Sequence, residues 1–138
     1  MQTKQSEITI NTKGRNTYEI TALINKEVVN SGIALGTCHV FIQHTSASLI
    51  ITENADDDVR VDLETIIKRL SPDADPEYYH TMEGPDDMSA HGRSILTQTE
   101  ITLPFTNGKL RLGTWQGLYL WEHRQSNFNR HLIITIMG

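Results

Sequence analysis

His44-Thr45-Ser46-Ala47-Ser48 sets an imidazole and three hydroxyls at the end of an alternating run in which Cys38, Val40 and Ile42 share the face of His44. A strand end lets a rigid sheet present a side chain to a pocket, and hydroxyls with closely spaced backbone N–H groups suit an anionic oxygen such as phosphate. The bland alternative is a Ser/Thr-rich turn capping a strand. A seryl nucleophile would want flanking glycines, and none are here. A second group lies in Glu83-Gly84-Pro85-Asp86-Asp87-Met88-Ser89-Ala90-His91. On a helix starting at Pro85, Asp87 and His91 fall four apart on one face. That pair can share a metal ion, or the carboxylate can orient the imidazole as a general base. Otherwise Asp87 only satisfies a helix N-terminus and His91 is a surface histidine.

The third group is Leu112–Arg124. Gly113 and Gly117 bracket Thr114-Trp115-Gln116, allowing close backbone approach to a ligand. Trp115 can stack on a flat ring and Gln116 can read its edge. Glu53, with Asn54 and Asp56 after it, shares a face with Leu49 and Ile51 and either points into a site or reaches water. Arg130 is a candidate anion anchor. Glu122 and His123 point to opposite faces of a regular strand, and Trp121 reads as core. A catalytic zinc site wants three protein ligands, for which His44, His91 and a carboxylate, Asp87 or Glu122, are the nominees. His39 and His131 sit inside strands and His80 in a loop, with no ligand spacing. Cys38, the single cysteine, reads as a buried structural residue.

The elements that must position these groups alternate in type. Strands are expected around Ser6–Thr12 and Thr17–Thr21, then a helix carrying Leu23, Ile24, Glu27 and Val28 and stopping near Gly32. Gly36–His44 and Ala47–Asn54 read as a strand pair around His44–Ser46. A helix starts near Asp57, with Val59, Leu63, Ile66, Ile67 and Leu70 as one apolar stripe. Aspartates 56–58 at its start and Lys68 and Arg69 near its end complement its dipole, and Ser71-Pro72 stops it. Residues 72–85 hold three of the four prolines, which makes this segment an ordered loop or lid. A short helix runs from Pro85 through His91. The rest is β, with Asn107-Gly108 as a hairpin turn before Lys109–Trp115. Strands, helices, then strands predict α+β with mostly antiparallel sheet, one domain over residues 1–138.

Composition narrows the partners. With 12 basic and 17 acidic residues and a net charge of −5, nucleic acid is not expected, because phosphate-backbone binding needs a basic surface. No run reaches the 18 or so apolar residues of a membrane span, and the polar start lacks a signal-peptide core, so a soluble cytoplasmic protein is expected. At 138 residues the chain is long enough to bury roughly 68% of its unfolded surface.

Together, Gln43–Asp56 with the following Asp58–Glu64, Glu83–His91, and Asn107–His123 resemble the YjbQ-like family, also called the secondary thiamine-phosphate synthase family, from about residue 5 onward. The resemblance implies a compact α+β subunit that assembles as a homotrimer with pockets near subunit boundaries. It carries over His44, Glu53, Asn54, Asp56, Asp87, His91, Gly113–Gln116, Glu122 and Arg130, and leaves out His123, which borders a variable stretch. The implied activity joins a hydroxymethylpyrimidine diphosphate to a thiazole phosphate, giving thiamine phosphate and pyrophosphate. In that reading His44, Asp87 and His91 are catalytic, with His44 or His91 as acid or base. Thr45 and Ser46 hold phosphate oxygens, Trp115 stacks on the pyrimidine, and Asp87, Glu53 and Arg130 clamp the pyrophosphate with Mg²⁺. Two other readings stay open: a non-catalytic trimer binding a phosphorylated metabolite or a metal, and a hydrolase using Zn²⁺ or another divalent ion.

Overall fold

The computed structural model describes all 138 residues. Eight strands and three helices follow in the order β1 (Thr3–Lys13), β2 (Asn16–Glu19), α1 (Thr21–Ser31), β3 (Leu35–Ile42), β4 (Ala47–Glu53), α2 (Asp57–Leu70), α3 (Asp87–Ile95), β5 (Glu100–Thr106), β6 (Lys109–Leu110), β7 (Gln116–Glu122) and β8 (Asn127–Met137). They form two antiparallel sheets, a five-stranded one in the order β1-β8-β3-β5-β6 and a three-stranded one in the order β2-β7-β4. The protein is one α+β domain, as the alternation of elements predicts.

A single apolar core draws on both sheets and α1. It contains Val40 and Ile42 of β3, Leu49 of β4, Leu118 and Leu120 of β7, Leu132, Ile134 and Ile136 of β8, and Ile24 and Val28 of α1. Cys38 lies within it, and burial, then the charge of Glu27, pushes its thiol up to about 12; it is an inert packing residue. Helix α1 ends as expected, with Gly32 in the left-handed region at φ 71°. Asn107 and Gly108 both take positive φ, 52° and 76°, the signature of the tight hairpin turn joining β5 to β6.

Four expectations need correction. β3 and β4 do not pair: β3 lies between β8 and β5, whereas β4 pairs with β7 in the other sheet. Residues 43–46 therefore cross from one sheet to the other, which explains the lack of hairpin-turn residues. The strand expected at Lys109–Trp115 stops at Leu110, and the second strand is Asn16–Glu19, with Thr21 already in α1. Helix α3 starts at Asp87, two residues after Pro85; the carboxylate of the N-cap residue Asp86 accepts from Arg124 and the Gln125 N–H and makes no capping bond.

Helix α2 has the predicted charges at its ends and a side-chain cap, the Asp56 carboxylate accepting from the Asp58 N–H at 2.9 Å. Of its apolar stripe only Ile67 is buried; Ile66 and Leu70 are more than half exposed. Leu63 and Ile66 line an open apolar groove with Ile50 and Ile51 of β4. No helix is long and apolar enough to cross a membrane.

Candidate metal centre

Three ligand atoms converge where α3, the loop before it and the 43–46 crossover meet. Asp87 opens α3 and His91 lies one turn on, so their side chains stack on the same face. His91 Nε2 stands 3.0 Å from Asp87 Oδ2. The loop returns His80 to the same oxygen, with its Nε2 2.6 Å away. The candidate ligand atoms of His80, Asp87 and His91 all lie within 4.8 Å of one another. The other Asp87 oxygen accepts a 2.8 Å hydrogen bond from Arg124 Nη1.

His91 is the informative member. Its Nδ1 lies 3.0 Å from the Thr45 carbonyl oxygen, which can only accept, so Nδ1 carries the proton. Its Nε2 faces the carboxylate of Asp87. Burial pushes that carboxyl up, but the His80 hydrogen bond and the nearby His91 and Arg124 charges outweigh it, leaving Asp87 below the usual carboxylate range and ionised at neutral pH. Both His91 nitrogens thus face acceptors. Either the ring is a full imidazolium, or a cation occupies the space and Nε2 turns its lone pair to it. An N–H donated to a backbone carbonyl is the outer support that fixes a metal-binding histidine. Two imidazole nitrogens and one carboxylate oxygen suit zinc or another first-row transition ion; magnesium asks for oxygen ligands and would find only Asp87 here.

The nominated residues separate into two clusters. Near the ligand group lie His44, Thr45, Ser46, Arg130 and Glu122. His44 Nε2 accepts the His131 backbone N–H at 2.8 Å and its ring stacks on that of His131, 5.5 Å between centroids. Burial, then the charges of Arg130 and His131, push its pKa down against the pull of Glu122. His44 is thereby a neutral ring anchoring the crossover, and it is outside the ligand group, as is Glu122. Glu122 is fully buried and receives Arg130 Nε at 2.7 Å, Arg130 Nη2 at 2.5 Å and the Thr12 hydroxyl at 2.6 Å. Arg130 also donates to the Ser46 hydroxyl and carbonyl, and Phe128 covers its guanidinium at 4.6 Å. Arg130 and Ser46, both buried, serve as a brace for the crossover, while Thr45 stays exposed beside His91.

Glu53, Asn54, Asp56, Thr114, Trp115 and Gln116 lie elsewhere. Ala47 pairs with Glu122 and Glu53 with Gln116, at opposite ends of the β4–β7 ladder, so about 20 Å of strand separates the clusters. At that far end Glu53 Oε2 accepts the Ala55 and Asp56 N–H groups, Asp56 caps α2, and Gln116 Oε1 accepts the Gly113 N–H. Trp115 is 63% exposed and free to contact a ligand.

Sequence spacing missed His80, Arg124 and His123. Gly84, at φ 104°, turns the loop so that a histidine seven residues before Asp87 comes back to it; a glycine-proline turn between a His and an Asp-x-x-x-His was the available signal. Arg124 joins the loop to β7, reaching Asp86, Asp87 and the Glu83 carbonyl. His123 is fully buried, with Nε2 2.8 Å from the Ser48 hydroxyl, and Ser48 in turn takes a 2.6 Å bond from Thr97. Burial, then the charges of Arg93, Arg15 and Arg130, hold its pKa down at about 3.

Fold and site together define an α+β protein whose helix and loop present a His-Asp-His group with Arg124 holding its carboxylate. The family model described as "UPF0047 protein YjbQ-like" matches residues 6–138, and the chain belongs to that family. It is 47% identical over 134 residues to UPF0047 protein sll1880 of Synechocystis sp., covering 97% of this chain and 91% of that protein. It is 38% identical over 135 residues to UPF0047 protein YjbQ of Escherichia coli O157:H7, covering 97% of each. Among solved structures, a YjbQ/UPF0047-family protein of Clostridium acetobutylicum superposes with a TM-score of 0.87 at 34% identity, over 96% of this chain and 99% of that one. A YbjQ-like protein of Sulfolobus solfataricus gives 0.86 at 26% identity, covering 99% of both. These names state a family and no reaction.

Proposed function

We propose that this chain is a metal-dependent enzyme acting on a phosphorylated small molecule, with a zinc-like divalent ion held by His80, Asp87 and His91. The observation that carries the reading is the convergence of the His80, Asp87 and His91 ligand atoms, all within 4.8 Å of one another. When bound, such an ion supplies Lewis-acid polarisation and lowers the pKa of water. The Thr45 carbonyl fixes the His91 tautomer, and Arg124 holds one oxygen of Asp87 so that the other faces the two imidazoles. His80 and His91 keep partly exposed side chains, at 45% and 32%, so the group opens to solvent and leaves room for a substrate. Three protein ligands with an open side fit hydrolysis best.

The condensation to thiamine phosphate is the second reading, and one observation favours it: Trp115 and Thr114 stand exposed at the far end of the β4–β7 ladder. A ring stacked there cannot reach His91 within one chain. A homotrimer could bring one subunit's Trp115 end to a neighbour's metal centre, and the exposed Ile66 and Leu70 with the β4 groove supply apolar surface for such an assembly.

Two measurements test these readings. Calorimetry with Zn²⁺ should give one ion per chain, with affinity falling at least about 100-fold in His80→Ala, Asp87→Asn and His91→Ala; unchanged binding in all three would reject the centre. The zinc-loaded protein is then given the pyrimidine diphosphate alone or with the thiazole phosphate, alongside His44→Ala. Phosphate released from the diphosphate alone supports hydrolysis; thiamine phosphate supports condensation. Tight binding of either compound without product would leave a binding protein.

A further inference from the structure

A cavity of about 370 Å³ opens within the loop beside His80, within the size range of small-molecule pockets. Its walls include Pro76, Tyr78, Thr81, Pro85 and Met88, with His80 common to the cavity and the ligand group. No lysine or arginine lines it, and its single carboxylate is Asp75. The arginines that reach the loop are committed, Arg124 on Asp86, Asp87 and the Glu83 carbonyl and Arg15 on Asp73. Asp75 uses one oxygen to accept the Glu77 N–H at 2.9 Å, and its negative charge stays at the wall. The loop is tied down at its start, where Arg15 forms a two-pronged pair with Asp73 at 2.8 and 2.9 Å and the Tyr78 hydroxyl donates to the Pro72 carbonyl at 2.9 Å, and across its base, where the Ala74 N–H donates to the Pro85 carbonyl at 2.9 Å. The cavity is therefore held by hydrogen bonds rather than by chance loop packing.

From this lining we infer that the loop cavity receives the organic part of the substrate, and that this part is uncharged or cationic, with the anionic or metal-binding group directed to His80, Asp87 and His91. The inference rests on the metal reading proposed above. An anionic group entering the cavity would meet Asp75 with no lysine or arginine in the walls to pair with, whereas an ammonium or a neutral ring would meet a carboxylate, a phenol ring and apolar walls.

The test separates the two ideas. The protein is loaded with Co²⁺, whose visible spectrum reports both binding and ligand exchange, and titrated with acetohydroxamate, benzohydroxamate, 4-(aminomethyl)benzohydroxamate and 4-carboxybenzohydroxamate. The two ring probes without a carboxylate are expected to bind at least tenfold more tightly than acetohydroxamate, and the carboxylated probe at least tenfold more weakly than benzohydroxamate. Thr81→Lys, an exposed wall position, should restore the carboxylated probe and weaken the aminomethyl one, each measured against benzohydroxamate in the same Co²⁺-saturated variant. Failure of Co²⁺ to bind removes the metal reading, and the cavity inference with it. Co²⁺ binding with four probes of equal affinity, or no charge reversal in Thr81→Lys, overturns the cavity inference alone.

Discussion

His123 should make the fold acid-sensitive well above the carboxylate range. Its imidazole is fully buried, and its pKa sits at about 3 against about 6.5 in an unfolded chain. Between those values the unfolded chain binds a proton that the folded one refuses, so stability rises with pH across this window and is lost as pH falls below about 6.5. The full span corresponds to about 5 kcal/mol at pH 3, and the part between pH 7 and pH 5 to about 2 kcal/mol. His123→Gln removes the titration while keeping a polar group near Ser48. Urea unfolding of both proteins at pH 7 and pH 5 isolates the effect, because groups common to both, including the likewise depressed His44, cancel in the difference. The variant is expected to be weaker at pH 7 by about 1–3 kcal/mol, yet to lose about 2 kcal/mol less than the parent between pH 7 and pH 5. Equal losses in the two proteins would refute the buried neutral imidazole.

Other consequences are as direct. Arg130→Met strands the Glu122 carboxylate in the interior and should cost about 3–5 kcal/mol in chemical denaturation; a loss under about 1 kcal/mol would mean the pair is not buried in solution. Arg124→Ala removes the brace on Asp87 Oδ1 and should weaken Zn²⁺ binding about 10–100-fold by calorimetry. Gly36 runs so close to β8 that an added Cβ would lie 1.9 Å from the Met137 carbonyl oxygen, so Gly36→Ala should lower the melting temperature steeply or abolish folding. Asp73 is pushed up by burial, but bonds from Arg15 and Ser89 and the charges of Arg15 and Arg93 bring it down to about 2. It contributes about 2 kcal/mol above its unfolded pKa that is lost as pH falls from about 4 to about 2, and Asp73→Asn should flatten that acid limb.

Local pattern made much of the fold legible. The 3.6-residue spacing located α2, left-handed Gly32 ended α1, and Asn107-Gly108 marked the tightest hairpin, because each depends on neighbours in the chain. The β3–β4 pairing was misread because alternation reports which face a strand buries and is silent on its partner; β3 and β4 both bury apolar residues, in different sheets. Asp87 and His91 were legible as a pair since helix geometry alone brings them together. His80 was not, because its approach depends on the turn at Gly84. Arg124 needed the β7–β8 connection to face the loop, a meeting that no local spacing encodes. Glu53 and Gln116 show the reverse failure: their types suit recognition, but both carry out local backbone capping.

The candidate ligands His80, Asp87 and His91 lie within twelve consecutive residues, yet what orients His91 and Asp87 comes from far along the chain, Thr45 at a separation of 46 residues and Arg124 at 37. A nascent or nicked chain would hold the donor atoms without their supports, since the crossover and the β7–β8 connection are in place only after both sheets have closed. High-affinity cation uptake should therefore be the last event of folding rather than its nucleus. In a refolding experiment, bound cobalt would serve as a clock for the completion of long-range topology.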